Sequence, residues 1–263
     1  MISRKPENSR NAVAGSDHSR YEWQLDIEGF GPDGQDRLSQ ASVLVSRCGG
    51  LGGVVAYELA AAGVGRLVIA HGGNLRLSDL NRQLLMSDSM IGQPRIDCIV
   101  SRLKAFNPSI EVVPYAENIN ETNVREIAGQ VDLIVDCAPL FEERYLMNSE
   151  SVRRGIPMVE CAVYELEAVI TSFQPGRTAC LRCLYPEQSR TWTRKFPVFG
   201  AVSGSLGSLA AMEAIKILSG LGDPLFNRML HYDLRSMRFD TMNIHRNPDC
   251  PECRSISPDE KVV

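Results

Sequence analysis

The stretch Val43-Leu-Val-Ser-Arg-Cys-Gly-Gly-Leu-Gly-Gly53 decides the fold. A short apolar run of strand type breaks into a glycine-rich turn, and an alanine-rich helical pattern over residues 51–62 follows. Strand, turn and helix in this order make the opening crossover of a nucleotide-binding sheet, whose helix N-terminus offers unpaired N–H groups to phosphate. Gly49, Gly50 and Gly52 are therefore the first candidate ligand contacts. Outward from it, apolar runs rich in Val, Ile and Leu at 67–70, 110–114, 131–137 and 157–163 alternate with helical patterns at 94–106, 122–128 and 141–154. Such alternation predicts an α/β protein with a mainly parallel sheet covered on both faces.

After Tyr164 the pattern changes. A strand-like stretch at 168–174, a segment with Pro and Arg at 186–197, a small-residue helix at about 202–219 and alternating extended residues at 229–243 predict an antiparallel extension of the sheet. The chain divides into a polar tail, residues 1–19, expected to be disordered, and one domain over 20–263. A nucleotide-binding-type half spans about 40–163, and a mixed half about 164–254.

Composition narrows the classes of function. With 263 residues, 28 Lys+Arg against 32 Asp+Glu and a net charge of -4, the chain lacks bulk attraction for nucleic acid or anionic membrane. No apolar run in the sequence approaches the roughly 20 residues of a membrane span, and nothing apolar follows the basic residues near Met1 as in a secretory signal. The expectation is a cytoplasmic protein with no nucleic-acid or membrane partner, whose 8 cysteines are thiols or metal ligands.

Cys180-Leu-Arg-Cys183 and Cys250-Pro-Glu-Cys253 are two knuckles far apart in the chain, the arrangement in which four thiolates converge on one tetrahedral metal. Zinc suits four sulfurs, and four protein ligands make the site structural, with no open catalytic position. A redox pair would open a helix, and neither knuckle precedes a convincing one. Cys98 and Cys161 are expected in the core, while Cys48 in the turn and Cys137 at a strand end stand where a ligand would be met.

The glycine turn is unusual in its surroundings. Arg47 stands where a nucleotide fingerprint has glycine, and the next strand ends in His71-Gly72-Gly73 where an acid would grip ribose. A dinucleotide dehydrogenase is disfavoured on both counts, and a histidine at a strand end is commonly a hydrogen-bonded structural residue.

Taken together, the segment 21–34, the Gly-Gly-Leu-Gly turn, Asn81-Arg-Gln83, Gly92-Gln-Pro-Arg95, Arg144 with Asn148, the run from Gly207 to Lys216 and both cysteine knuckles resemble the ThiF/MoeB/HesA family, the bacterial relatives of ubiquitin-activating enzymes. The resemblance runs from about residue 20 to 254. It implies a homodimeric Rossmann-like protein that binds ATP and magnesium and adenylates the C-terminal glycine of a small ubiquitin-like sulfur carrier. By the same resemblance Arg82 matches a phosphate-contacting arginine, and Arg95 stands where the family has lysine. The chain departs from the family at several positions. Trp23 replaces an arginine that reaches the partner subunit's triphosphate, Arg47 replaces the first glycine, and His71 and Gly73 replace two aspartates. Pro139, in Asp136-Cys-Ala-Pro-Leu140, replaces the aspartate that holds magnesium, and the position of the crossover-loop cysteine reads roughly Thr191-Trp-Thr193.

Adenylation relies on positioned cations and magnesium to stabilise charge on the attacked phosphate. Two functions follow. In the first, the adenylation site is degraded, ATP and magnesium bind poorly, and the protein is a binding or scaffold partner in sulfur-carrier, cofactor or peptide-modification biosynthesis. In the second, it is an active adenylyltransferase with a pocket rebuilt around Arg47, His71, Arg82 and Arg95. The three arginines also admit a plainer reading as surface or ion-paired residues. A homodimer is expected, with Trp23, Leu25 and Ile27 in or near the contact.

Overall fold

Val43, Leu44 and Val45 have no solvent exposure, because the strand that carries them, β1 (Ser42–Ser46), lies inside the sheet with both faces covered. The computed structural model describes residues 18–188 and 196–256. Among these, the elements after β1 run α3 (Gly50–Ala62), β2 (Arg66–Ala70), α4 (Arg95–Phe106), β3 (Glu111–Tyr115), α5 (Val124–Ala128), β4 (Leu133–Asp136), α6 (Phe141–Arg154) and β5 (Met158–Tyr164). Two short helices precede them, α1 (Glu22–Leu25) and α2 (Gly31–Gln40). Then come β6 (Glu167–Phe173), α7 (Leu181–Leu184), α8 (Gly200–Ser219), β7 (Arg228–Asp233) and β8 (Arg238–Asn243).

The sheet has the order β3-β2-β1-β4-β5-β6-β7-β8. The five strands from β3 to β5 are parallel, and β6, β7 and β8 extend them antiparallel, with β5 paired to β6 from Met158↔Phe173 to Tyr164↔Glu167. One core joins this sheet to α2, α3, α4 and α8, and a second, on the opposite face, joins it to α5 and α6. The α/β reading with an antiparallel extension therefore holds.

Helices α2 and α8 depart from the sequence reading, the first as an element not anticipated and the second as an apolar run of greater length than expected. The ten-residue helix α2 was invisible to pattern: Gly31-Pro-Asp-Gly34 reads as a turn, and Leu38, fully buried, is its lone large apolar residue. Pro32 is tolerated because it lies in the helix's first turn. Helix α8 has 20 residues and a mean hydropathy of 1.3, long and apolar enough by composition to cross a membrane. It packs on α3, β5 and β6 instead. Its Glu213 is buried and accepts hydrogen bonds from Ser172 Oγ and the Leu225 N–H, both at 2.7 Å. Leu25 packs partly buried against the core of its own chain.

Candidate functional site

The chain leaves β1 toward β2 and β3 on one side and returns to β4 on the other. At this reversal the loops beyond the C-terminal strand ends part, which is where open α/β sheets bind ligands. A cavity of about 160 Å³ lies there. Its walls include Arg47, Gly49, Gly50 and Leu51 from the first turn, His71 after β2, and Asp79, Arg82, Gln83 and Arg95 from the connection to α4. Cys137, Ala138, Pro139, Arg144, Cys161, Val163, Phe196, Val198 and Ser203 complete it.

The glycine turn has the backbone expected of it. Arg47 adopts φ 57°, a left-handed conformation natural to glycine, and Gly49 N–H closes the turn on the Arg47 carbonyl at 2.6 Å. Gly52 must lack a side chain, since a Cβ there would lie 2.7 Å from that carbonyl. Gly50 and Leu51, in the first turn of α3, also face the cavity. The Arg47 side chain crosses to α6, where its guanidinium donates to both carboxylate oxygens of Glu143 at 2.7 and 2.5 Å. Both side chains are more than nine-tenths buried.

Asp79 organises the other cations. It accepts from Arg95 Nη2 at 2.6 Å, from Arg82 Nη2 at 3.4 Å and from the Arg76 N–H at 3.0 Å. Burial pushes its carboxyl up, but Arg95, Arg76 and Arg82 together hold it below the usual carboxylate range, so it is ionised at neutral pH. Arg82 also donates to the Ser78 carbonyl and Asn81 Oδ1, and Arg95 to the Gly72 carbonyl. His71 is buried beside them. Its pKa falls to about 3, chiefly through burial and then through the Arg47 and Arg95 charges, so the ring is neutral.

Beneath the cavity, Arg144 on α6 pairs with Glu160 on β5, stands 3.9 Å from Asp136 at the end of β4, and donates to the Cys161 carbonyl. Burial lifts the Glu160 carboxyl well above its ordinary range despite Arg144. Asp136 Oδ1 accepts the Ala138 N–H at 2.8 Å, and Ser46 Oγ accepts the Cys137 N–H, which pins the loop carrying Pro139. Burial raises the Cys48, Cys137 and Cys161 thiols, so none is a ready nucleophile. Cys137 and Cys161 touch the cavity, whereas Cys48 and Cys98 are core residues. Cys161 was expected to be core alone.

The same helix α6 reaches the cysteine knuckles: Asn148 Oδ1 accepts the Leu181 N–H at 2.9 Å, next to Cys180. Cys180, Cys183, Cys250 and Cys253 bring their sulfurs within 4.8 Å of one another. Adjacent pairs stand 3.9, 3.7 and 3.5 Å apart. Four sulfurs at tetrahedral positions about 2.3 Å from a zinc are roughly 3.8 Å apart, so the cluster fits that ion. Contrary to expectation, Cys180 does open a helix, the single turn α7.

Arg47, Arg82, Arg95, Arg144, Gly49 and Gly50 thus meet at one cavity, while Gly52 braces its turn and Gly73 is not part of the lining. The residues sequence reading missed are the acids: Asp79, Glu143 and Glu160. Glu160 carried a signal, being an acid inside the otherwise apolar Met158-Val-Glu-Cys-Ala run. Trp23 lies away from the cavity, 88% exposed. Thr191-Trp-Thr193 lies outside the described residues.

A family model described as the ThiF family matches residues 21–252. The heterocyst protein HesA of Trichormus variabilis is 44% identical over 239 residues, 91% of this chain and 90% of its own. A sulfur carrier protein adenylyltransferase of Thermus thermophilus is 36% identical over 253 residues, 93% of each chain. Among solved structures, E. coli MccB crystallised with MccA superposes with a TM-score of 0.77 at 26% identity, covering 84% of this chain and 69% of MccB. MccB crystallised with ATP gives 0.79 at 25% identity, covering 90% and 74%.

Proposed function

This chain belongs to the ThiF family, and from that premise we propose that it binds the tail of a small ubiquitin-like carrier protein or peptide as a scaffold, without adenylating it. The observation that carries the reading is the pairing of the cavity's cations with internal carboxylates. Arg47 is held by Glu143, Arg82 and Arg95 by Asp79, and Arg144 by Glu160. A triphosphate needs cations free to meet it, and releasing a buried partner leaves a carboxylate unpaired at a cost of about 3–5 kcal/mol.

Magnesium fits no better. Pro139 has no carboxylate to offer, Asp136 Oδ1 is committed to the Ala138 N–H, and Asp136 Oδ2 faces Arg144. A single carboxylate oxygen beside a guanidinium is a poor cation site. Trp23, at the position of the family's partner-reaching arginine, supplies no charge from a second subunit. What remains is a pocket whose Val163 and Val198 provide apolar wall. The relatives' names support the partner class: one is a sulfur carrier protein adenylyltransferase, and MccB was crystallised with MccA.

The four-cysteine cluster would hold one structural zinc, whose only contribution is to tie α7 to the C-terminal segment. We further read the protein as a cytoplasmic homodimer, a view supported by the exposed Trp23 and Phe199, 88% and 70% accessible. The test is exchange of labelled pyrophosphate into ATP in the presence of a small Gly-Gly-tailed carrier. No carrier-dependent exchange is expected. Exchange, or release of AMP, would establish instead the adenylyltransferase with a rebuilt pocket.

A further inference from the structure

Asp136 and Glu160 are registered partners on the neighbouring parallel strands β4 and β5, so their side chains rise from the same face of the sheet. Both are closed to solvent, and each keeps one oxygen, Asp136 Oδ2 and Glu160 Oε2, without a hydrogen-bond partner among the described residues. Arg144 is the cation they share. It pairs with Glu160 Oε1 and stands 3.9 Å from Asp136 Oδ2, beyond hydrogen-bonding distance. Two buried carboxylates beside one guanidinium leave a negative charge uncompensated. One proton held between the two free oxygens removes both defects, because a carboxyl group donates where a carboxylate only accepts.

The surroundings offer no other remedy. Cys137 on β4, Cys161 on β5 and Tyr185 after α7 are the other titratable groups around the pair, and burial raises all three, which leaves them neutral. Thr171 on β6 is registered with Glu160, but its hydroxyl is spent on the Leu225 and Arg228 carbonyls. Burial raises the Glu160 carboxyl, and Asp136 adds to that against the pull of Arg144.

This proton sets the charge of the cavity above it. Among the described residues, the lining arginines Arg47, Arg82, Arg95 and Arg144 answer to the carboxylates Glu143, Asp79, Asp136 and Glu160, and the neutral His71 adds nothing. With every carboxylate ionised the charges cancel. With one proton on the acid pair, a single positive charge is left over. That surplus matches one carboxylate and falls far short of a triphosphate.

We propose that Asp136 and Glu160 together bind one proton at neutral pH, and that this proton lets the cavity take the terminal carboxylate of a bound tail, so that tail binding is proton-coupled. The inference rests on the reading of this site as one that binds the tail of a carrier or peptide, and it adds the charge by which the tail is recognised and the means by which its binding is regulated.

The experiment is calorimetric titration of the full-length protein, between about pH 6 and pH 9, with an N-acetylated decapeptide ending in Gly-Gly and with the same peptide as its C-terminal amide. Affinity of the parent for the free carboxylate should fall about tenfold or more across that range, since only the protonated fraction binds it well. The amide should bind more weakly at the acid end and show no such fall. Glu160→Gln and Asp136→Asn each fix the surplus positive charge without a proton, so in both the carboxylate should bind with little dependence on pH. His71, with a pKa of about 3, does not titrate in this window. Infrared spectroscopy reads the proton itself: the parent at neutral pH should show the carbonyl band of a buried carboxylic acid that Glu160→Gln lacks. Absence of that band, equal binding of the carboxylate and the amide, a parent indifferent to pH, or a fall that persists in both variants overturns this inference alone. Binding of neither peptide at any pH overturns the reading beneath it, and the role given to the proton with it.

Discussion

Arg47 and Glu143, 96 residues apart in sequence, form a two-pronged ion pair that joins the glycine turn to α6 and is closed to solvent. An arginine occupies the left-handed backbone of a glycine position because a buried carboxylate waits for its side chain. Removing one partner should be costly: Glu143→Ala is expected to lower unfolding free energy by about 3–5 kcal/mol, since it strands a buried guanidinium. Arg47→Gly combined with Glu143→Ala should recover most of that loss, because it also relieves a left-handed residue costing about 1–2 kcal/mol. Urea titration of the two single variants and the double variant measures the coupling.

Cys183→Ser should unfold at a lower temperature than the parent and lose its metal, because ligand binding energy at such a site is folding energy. Metal analysis of the purified parent should return one zinc per chain. A value well under one counts against the four-sulfur centre.

A particle of close to twice 29.1 kDa is the expected result of light scattering at micromolar concentration. Trp23→Ala should weaken that dimer, since an exposed aromatic is removed from the contact. A monomer at every concentration would refute the assembly.

The neutral His71 ties stability to pH. Its folded pKa of about 3 lies below the ordinary 6.5, so in the window between them the unfolded chain binds the extra proton and stability falls as pH is lowered. His71→Leu should remove that contribution and flatten the loss between pH 6.5 and 4.5. Denaturant unfolding across that range, with parent and variant side by side, reads the difference, and parallel curves would contradict it.

How much of this was visible in the chain alone follows from what each feature depends on. The strands and helices of the parallel half follow local periodicity, and α6 was bounded at Phe141–Arg154 from pattern alone. Helix α2 was not, because it buries one large apolar residue, Leu38, beside the polar Gln35, and the rest of its sequence has the composition of a turn. The cysteine knuckles were legible because metal ligation imposes spacing. The ion pairs were not: Glu143 follows Glu142 in what reads as an ordinary acidic helix start, and only the fold tells which of them meets Arg47. The same holds for Asp79, whose role comes from Arg95, sixteen residues on.

The most direct measurement is calorimetric titration of ATP with magnesium into the parent and into one variant carrying Trp23→Arg, Arg47→Gly, His71→Asp and Pro139→Asp together. The account predicts no binding at micromolar concentrations in the parent and measurable binding in the combined variant, with each single change having little effect because the groups act as a unit. Micromolar affinity in the parent would contradict the claim that the adenylation site is closed to its nucleotide.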